Sequence, residues 1–203
     1  MEKRGVLIVI EGIDAVGKRT QSSMLGGWLR SKGMNTVTLS FPDYGTDIGR
    51  AIRRFFTGEK DYPPEAIHML LAANRWEKKE EIESLLSRID VLIVNRYSGS
   101  NLAYGLSNGL KLEWLVSLDS GLPEADLVCV LDAPPSAIAA RRGFNKDRYE
   151  RNAGLQNRAR KAYLDLADKF GWRVIDASQG IEGTNRALIG VTSEVLSAKG
   201  RTV

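Results

Sequence analysis

The residues "GIDAVGK" at 12 to 18 set two glycines with four residues between them and follow the second with lysine, fitting G-x-x-x-x-G-K. An apolar run precedes them and a helix-like segment follows, which is the context a phosphate-binding loop requires. Gly12 and Gly17 let backbone N–H groups turn inward around phosphate oxygens. The N-terminus of the following helix adds positive potential, and Lys18 supplies a charge that can follow a transferring phosphoryl group. Further cations sit beside turns and strand ends: Arg53 and Arg54, Arg75, Arg96, Arg141 and Arg142, and Arg148. Cations placed in this way suit small phosphates held in a cleft better than a nucleic-acid surface.

These side chains need elements to carry them. Short β-branched runs occur at 5 to 11, 35 to 41, 90 to 95, 126 to 132 and 172 to 177. Helix-like segments cover about 18 to 32, 46 to 57, 64 to 88, 99 to 119, 134 to 142, 150 to 170 and 181 to 198. The runs are continuously apolar, so the strands are expected to be buried on both faces. Alternation of this kind predicts an α/β fold, a parallel five-stranded sheet with helices on both faces, whose ligands gather at the carboxyl ends of the strands. No Pro-, Gly- or Ser-rich linker divides the 203 residues, and the chain is read as one domain, 1 to 203.

Composition narrows the function further. There are 29 Lys and Arg against 25 Asp and Glu, a net charge of +4 that favours anionic ligands. No apolar stretch is long enough to span a membrane, and a soluble, cytoplasmic protein without a membrane partner is expected. The one cysteine, Cys129 in "LVCVL", excludes an internal disulfide framework and is read as a buried strand residue. His68 has no metal-site spacing around it, and Trp28, Trp114 and Trp172 are read as packing residues.

Several strings in order give the chain a family resemblance: "EGIDAVGK" with "TQ" after it, "FPD" to "IG" at 41 to 49, "LLAANRWE" at 70 to 77, "NRYSGSNLAY" at 95 to 104, "GLPEADLVCVLD" at 121 to 132, "RRGFNKDRYE" at 141 to 150 and "VIDAS" at 174 to 178. Along nearly its whole length it resembles the thymidylate kinases, among the P-loop nucleoside monophosphate kinases. The resemblance implies transfer of the γ-phosphoryl group of ATP to dTMP, with Mg²⁺ accompanying ATP, and it implies a homodimer. It makes Gly12, Ala15, Val16, Gly17, Lys18, Arg19 and Thr20 the candidate ATP contacts.

Two polyanionic nucleotides must meet in line, so charges that neutralise and orient them can supply most of the catalysis. By resemblance Lys18 touches the donor phosphates, Arg96 the acceptor phosphate, and Asp14 accepts the acceptor's 3′-hydroxyl. Arg75 matches a donor to a thymine carbonyl, and Asn101 and Tyr104, three apart, fall on one face if their segment is helical. Tyr104 matches an aromatic that crowds the 2′ position and selects deoxyribose. Phe41 and Pro42 belong to the acceptor site in the same way. Leu71 stands where many relatives stack a phenylalanine on the pyrimidine, and Tyr44 where an arginine often contacts the acceptor phosphate. Residues 141 to 151 read as a lid, with Arg142 and Arg148 as its charges, Arg142 a catalytic candidate, and Tyr149 as a nucleotide contact.

Two departures fall together on the metal site. The hydroxyl residue that ligates Mg²⁺ in the family is replaced by Arg19, and the aspartate ending the third strand by Asn95. No protein ligand is therefore assigned to Mg²⁺. Thr20 points about 100° away from position 19 on a helix and is expected to meet the α-phosphate instead. Three readings follow: a thymidylate kinase, a catalytically weakened nucleotide-binding relative with a regulatory role, and a kinase for another monophosphate. Nucleic-acid binding ranks behind all three.

Overall fold

The computed structural model describes residues 4–134, 137–138 and 147–201. Five strands, β1 (Val6–Glu11), β2 (Thr36–Ser40), β3 (Val91–Asn95), β4 (Leu127–Asp132) and β5 (Arg173–Asp176), form one sheet in the order β2-β3-β1-β4-β5. All four pairings are parallel, with Val6 opposite Val91 and Ile8 opposite Leu127. The described helices are α1 (Lys18–Ser31), α2 (Asp47–Thr57), α3 (Pro64–Trp76), α4 (Lys79–Arg88), α5 (Ser98–Ser107), α6 (Leu112–Leu118), α7 (Ala153–Phe170) and α8 (Gly180–Ala198).

The period of two along β1 explains its unbroken apolar run. Val6, Ile8 and Ile10 face the larger core cluster, which includes Leu25 and Leu29 of α1 and Leu166 of α7. Leu7 and Val9 face a second cluster with Ile82, Leu85 and Leu86 of α4. Both faces of the centre are therefore covered, as parallel crossovers require. At the edges the expectation fails: alternate residues of β2 are exposed, and in β5 Ile175 alone is buried. Each edge strand lacks a neighbour on one side. Cys129 is fully buried in β4, where burial pushes its thiol up to about 12.

Two long helical readings each divide in the structure. The segment 64 to 88 breaks after Trp76, where the Glu77 carboxylate accepts from Thr46 and Asn74 and ties the turn to the 43–46 loop. The segment 99 to 119 breaks at Gly109, whose φ of 85° closes α5 with the bond from Leu110 N–H to the Gly105 carbonyl. Most of the helix read at 134 to 142 lies outside the described residues. Among the described residues, no helix is long and apolar enough to cross a membrane.

Candidate active site

The loop between β1 and α1 is shaped by two close constraints. Gly12 has a φ of 131°, and a Cβ there would lie 2.4 Å from the Leu131 carbonyl oxygen of β4. Gly17 starts α1 at a φ of 113°, and Ala15 holds a φ of 60° between them. Val16 is buried in the core and pins the loop, while Arg19 and Thr20 face outward. Lys18 folds back inside it, its Nζ donating to the carbonyls of Gly12 at 3.0 Å and Ile13 at 2.7 Å. Burial, and then the neighbouring Arg96 charge, lower the Lys18 ammonium to about 7.

Arg96 follows β3 directly, in a left-handed backbone conformation with a φ of 64°. Its Nη1 donates to the Gly12 carbonyl at 3.3 Å and the Ser100 hydroxyl at 3.1 Å, and its Nη2 pairs with the Asp14 carboxylate. Asp14 also accepts from the Tyr104 hydroxyl at 2.8 Å and from Gln156 Nε2 at 2.7 Å. Burial alone would raise Asp14, but the Arg96 and Lys18 charges and these hydrogen bonds outweigh it and hold the carboxyl below its usual range. The loop after β1, the end of β3, α5 and α7 thus converge on one ion pair.

A buried carboxylate supports the whole turn. Glu11 accepts from the backbone N–H groups of Tyr97 at 2.8 Å and Ser100 at 3.0 Å, so it fills the N-terminus of α5 with negative charge. The Ser100 and Tyr163 hydroxyls complete its shell at 2.6 and 3.0 Å. A Cβ on Gly99 would stand 2.9 Å from Glu11 Oε1, so glycine is needed where the helix meets the carboxylate.

Beside this pair opens a pocket lined by Asp14, Phe41, Pro42, Tyr44, Phe56, Leu71, Arg75, Arg96, Tyr97, Ser100, Asn101, Tyr104, Asp147 and Tyr149. Every acceptor-site residue read from the sequence lines it except Arg148. That arginine pairs with Asp61 at 2.6 Å and lies over the Phe55 ring, which draws it off the pocket. Arg142 lies outside the described residues. Of the expected lid, Asp147 Oδ1 caps the turn by accepting from Tyr149 and Glu150 N–H, and the Tyr149 ring stacks on Tyr104 with centroids 5.3 Å apart.

Arg75 is not a free donor in this structure. Its Nε and Nη2 grip Asp119 at 2.8 to 3.0 Å in a nearly buried pair, a partner 44 residues away that nothing local announces. Tyr44 lines the pocket with the Arg53 guanidinium stacked 4.9 Å from its ring centroid, so a cation stands behind the tyrosine. Glu11, Ser100, Gln156, Tyr97, Phe56 and Asp147 were not read from sequence. For Ser100 the signal existed, since it is one residue from Asn101 within the same string.

Arg19 lines a separate groove of about 360 Å³ with Ser22, Ser23, Arg30, Thr38, Ser40 and Asn95. Its lining carries two guanidinium groups and no carboxylate, and Asn95 Oδ1 is buried without a hydrogen-bond partner among the described residues. A divalent ion prefers anionic oxygens and is repelled by guanidinium, so this donor set does not fit a protein-held Mg²⁺.

A family model described as thymidylate kinase matches residues 10–188. A thymidylate kinase of Arabidopsis thaliana is 36% identical over 188 residues, 93% of this chain and 71% of that one. One of Homo sapiens is 36% identical over 186 residues, 90% and 87% of the two chains. The solved thymidylate kinase of Candida albicans matches with a TM-score of 0.82 at 31% identity, over 95% of this chain and 93% of that one.

Proposed function

The chain belongs to the thymidylate kinase family, and from that premise we propose that it transfers the γ-phosphoryl group of ATP to dTMP, giving ADP and dTDP. The observation that carries the reading is Arg96, which donates to Gly12 inside the phosphate loop and pairs with Asp14 in the pocket wall. One guanidinium therefore spans the two places where donor and acceptor phosphates must meet. In the proposed reaction Gly12, Ala15, Val16 and Gly17 cradle the donor phosphates, with Arg19 and Thr20 at the helix start. Lys18 leaves its loop carbonyls for the phosphates, and Arg96 neutralises the charge shared by acceptor oxygen and transferring group.

Arg75 and Asn101 read the base over Leu71, with Phe41 and Pro42 closing the side. Asp14 takes the 3′-hydroxyl, and Tyr104, hydrogen-bonded to Asp14, crowds the 2′ position. Mg²⁺ belongs to this proposal as an ion carried on ATP's own phosphates, with no protein ligand assigned. A cytoplasmic setting, with which the buried lone Cys129 agrees, and a homodimer are proposed with it.

The test is ADP release with ATP and a panel of acceptors, with and without Mg²⁺. dTMP and dUMP should be turned over, and UMP disfavoured by about 10²-fold or more, because its 2′-hydroxyl would be buried against Tyr104 without room or partner. Equal turnover of UMP and dTMP would remove Tyr104 from that role, and no turnover of any monophosphate would sink the proposal.

A further inference from the structure

His68 lies on α3 with no exposed surface, and the transfer chemistry makes no use of it. Its partners are specific. His68 Nδ1 is 2.6 Å from Asn101 Oδ1, while Asn101 Nδ2 donates to the His68 backbone carbonyl at 3.2 Å. A carbonyl can only accept, so the amide nitrogen of Asn101 must face it; Oδ1 then faces Nδ1, which must carry the ring proton. His68 Nε2 is left as an acceptor and meets Asn108 Nδ2 at 3.3 Å, and the same Nδ2 donates to the Tyr149 hydroxyl at 3.0 Å. The result is a largely buried polar thread, Asn101 to His68 to Asn108 to Tyr149, both of whose ends line the pocket.

We infer that His68 is a positioning residue for base recognition: it clamps the Asn101 amide in one of its two orientations and so fixes which pyrimidine edge the pocket accepts. This rests on the proposed role of Asn101 in reading the base. Thymine offers a donor at N3 and an acceptor at O4, and cytosine the reverse, an acceptor at N3 and a donor at N4. An amide rotated by half a turn exchanges its own donor and acceptor, so an unclamped Asn101 can serve either base, whereas a clamped one leaves the wrong base with unpaired buried groups. Burial lowers the His68 imidazole to about 4, so the neutral ring and its tautomer persist across neutral pH.

The experiment measures equilibrium affinity for dTMP and dCMP by calorimetry, on the full chain, in the parent and in His68→Leu, His68→Asn and His68→Gln. Thermal unfolding and ATP affinity serve as controls. Leucine keeps the bulk and removes the ring N–H that holds Asn101 Oδ1, leaving the amide only the bond from Nδ2 to the His68 backbone carbonyl, and should lower the dTMP-to-dCMP affinity ratio by about tenfold or more with ATP affinity unchanged. Asparagine can set an N–H near the place of Nδ1 and should bring the ratio back to within about threefold of the parent, whereas glutamine, which reaches towards the place of Nε2, should not.

A ratio unmoved in folded His68→Leu overturns the inference. If that variant does not fold, equal ratios in the asparagine and glutamine variants overturn it. A parent that binds dTMP and dCMP alike also overturns it. A parent that binds dTMP selectively yet transfers no phosphoryl group defeats the proposed reaction and leaves the clamp standing.

Discussion

Removing the Arg96 side chain would leave Asp14 without its ion-pair partner and, in the proposed reaction, the acceptor phosphate without its cation. Arg96→Ala should lower kcat by about 10²–10³-fold with a modest change in ATP affinity, since Lys18 and the loop remain. Activity within about threefold of the parent would mean that another cation holds that phosphate. Lys18 makes a pH prediction. Its folded value near 7 lies below the ordinary 10.5, so between these values the unfolded chain binds more protons, and Lys18 makes stability rise with pH through that window. In the proposed complex, bound phosphates restore the charge. ATP binding above neutrality should therefore take up a proton, and affinity should fall with rising pH by up to about tenfold per unit. Titrations in buffers of different ionisation enthalpy report the uptake; a flat affinity without it would mean that Lys18 is already charged in the free protein. Residues inside motifs were legible because glycine, lysine and arginine stand at fixed spacings there. Asp119, Gln156 and Glu11 were not, because each acts from a distant segment or a strand end where any apolar-run boundary looks alike. Arg148 carried a motif signal, and a long-range pair with Asp61 decided its place instead.

The element most exposed to a single change is the start of α5, which depends on one carboxylate of β1. Glu11→Ala would strand the backbone N–H groups of Tyr97 and Ser100 and the Ser100 and Tyr163 hydroxyls in a buried site. The cost should be about 3–5 kcal/mol, a fall in Tm of roughly 6–20 °C for a chain of this size. Thermal unfolding by circular dichroism checks it. A drop of under about 2 °C would show that water or relaxation satisfies those groups. The element pattern itself was largely legible, since β1, β3 and β4 are short apolar runs between amphipathic segments. Two helix breaks were not. Gly109 was a readable stop signal, "NG" followed by a leucine, that helical periodicity on both sides overrode. The break after Trp76 has no glycine or proline, and it is set by Glu77 bonding to Thr46 and Asn74, a tertiary cause that periodicity does not carry.

Over the whole molecule, helix α3 has two occupied faces. The inner face carries the buried His68 with Leu71 and Arg75, which line the pocket, and the outer face carries Met69 and Trp76, seven residues apart, at 48% and 38% exposure. Val116 of α6 is 42% exposed, and the two helices are joined by the bond from Trp76 Nε1 to the Leu118 carbonyl at 2.7 Å. Exposed large apolar side chains on two joined helices can mark an interface, and a second copy of the chain is the proposed cover. Light scattering should then give twice the chain mass of 22.4 kDa. Met69→Lys with Val116→Lys should return the single mass, because two like charges would be buried against their own copies across the symmetry axis. The pocket-facing side of α3 is left intact by both changes, so kcat should stay within about threefold while KM for dTMP rises as the helix loses its outer support. A parent of single mass would remove the dimer from the proposal. A dimer that survives both charges would move its interface to another surface, for which the exposed apolar residues Phe170, Val174 and Ile181 are the next candidates.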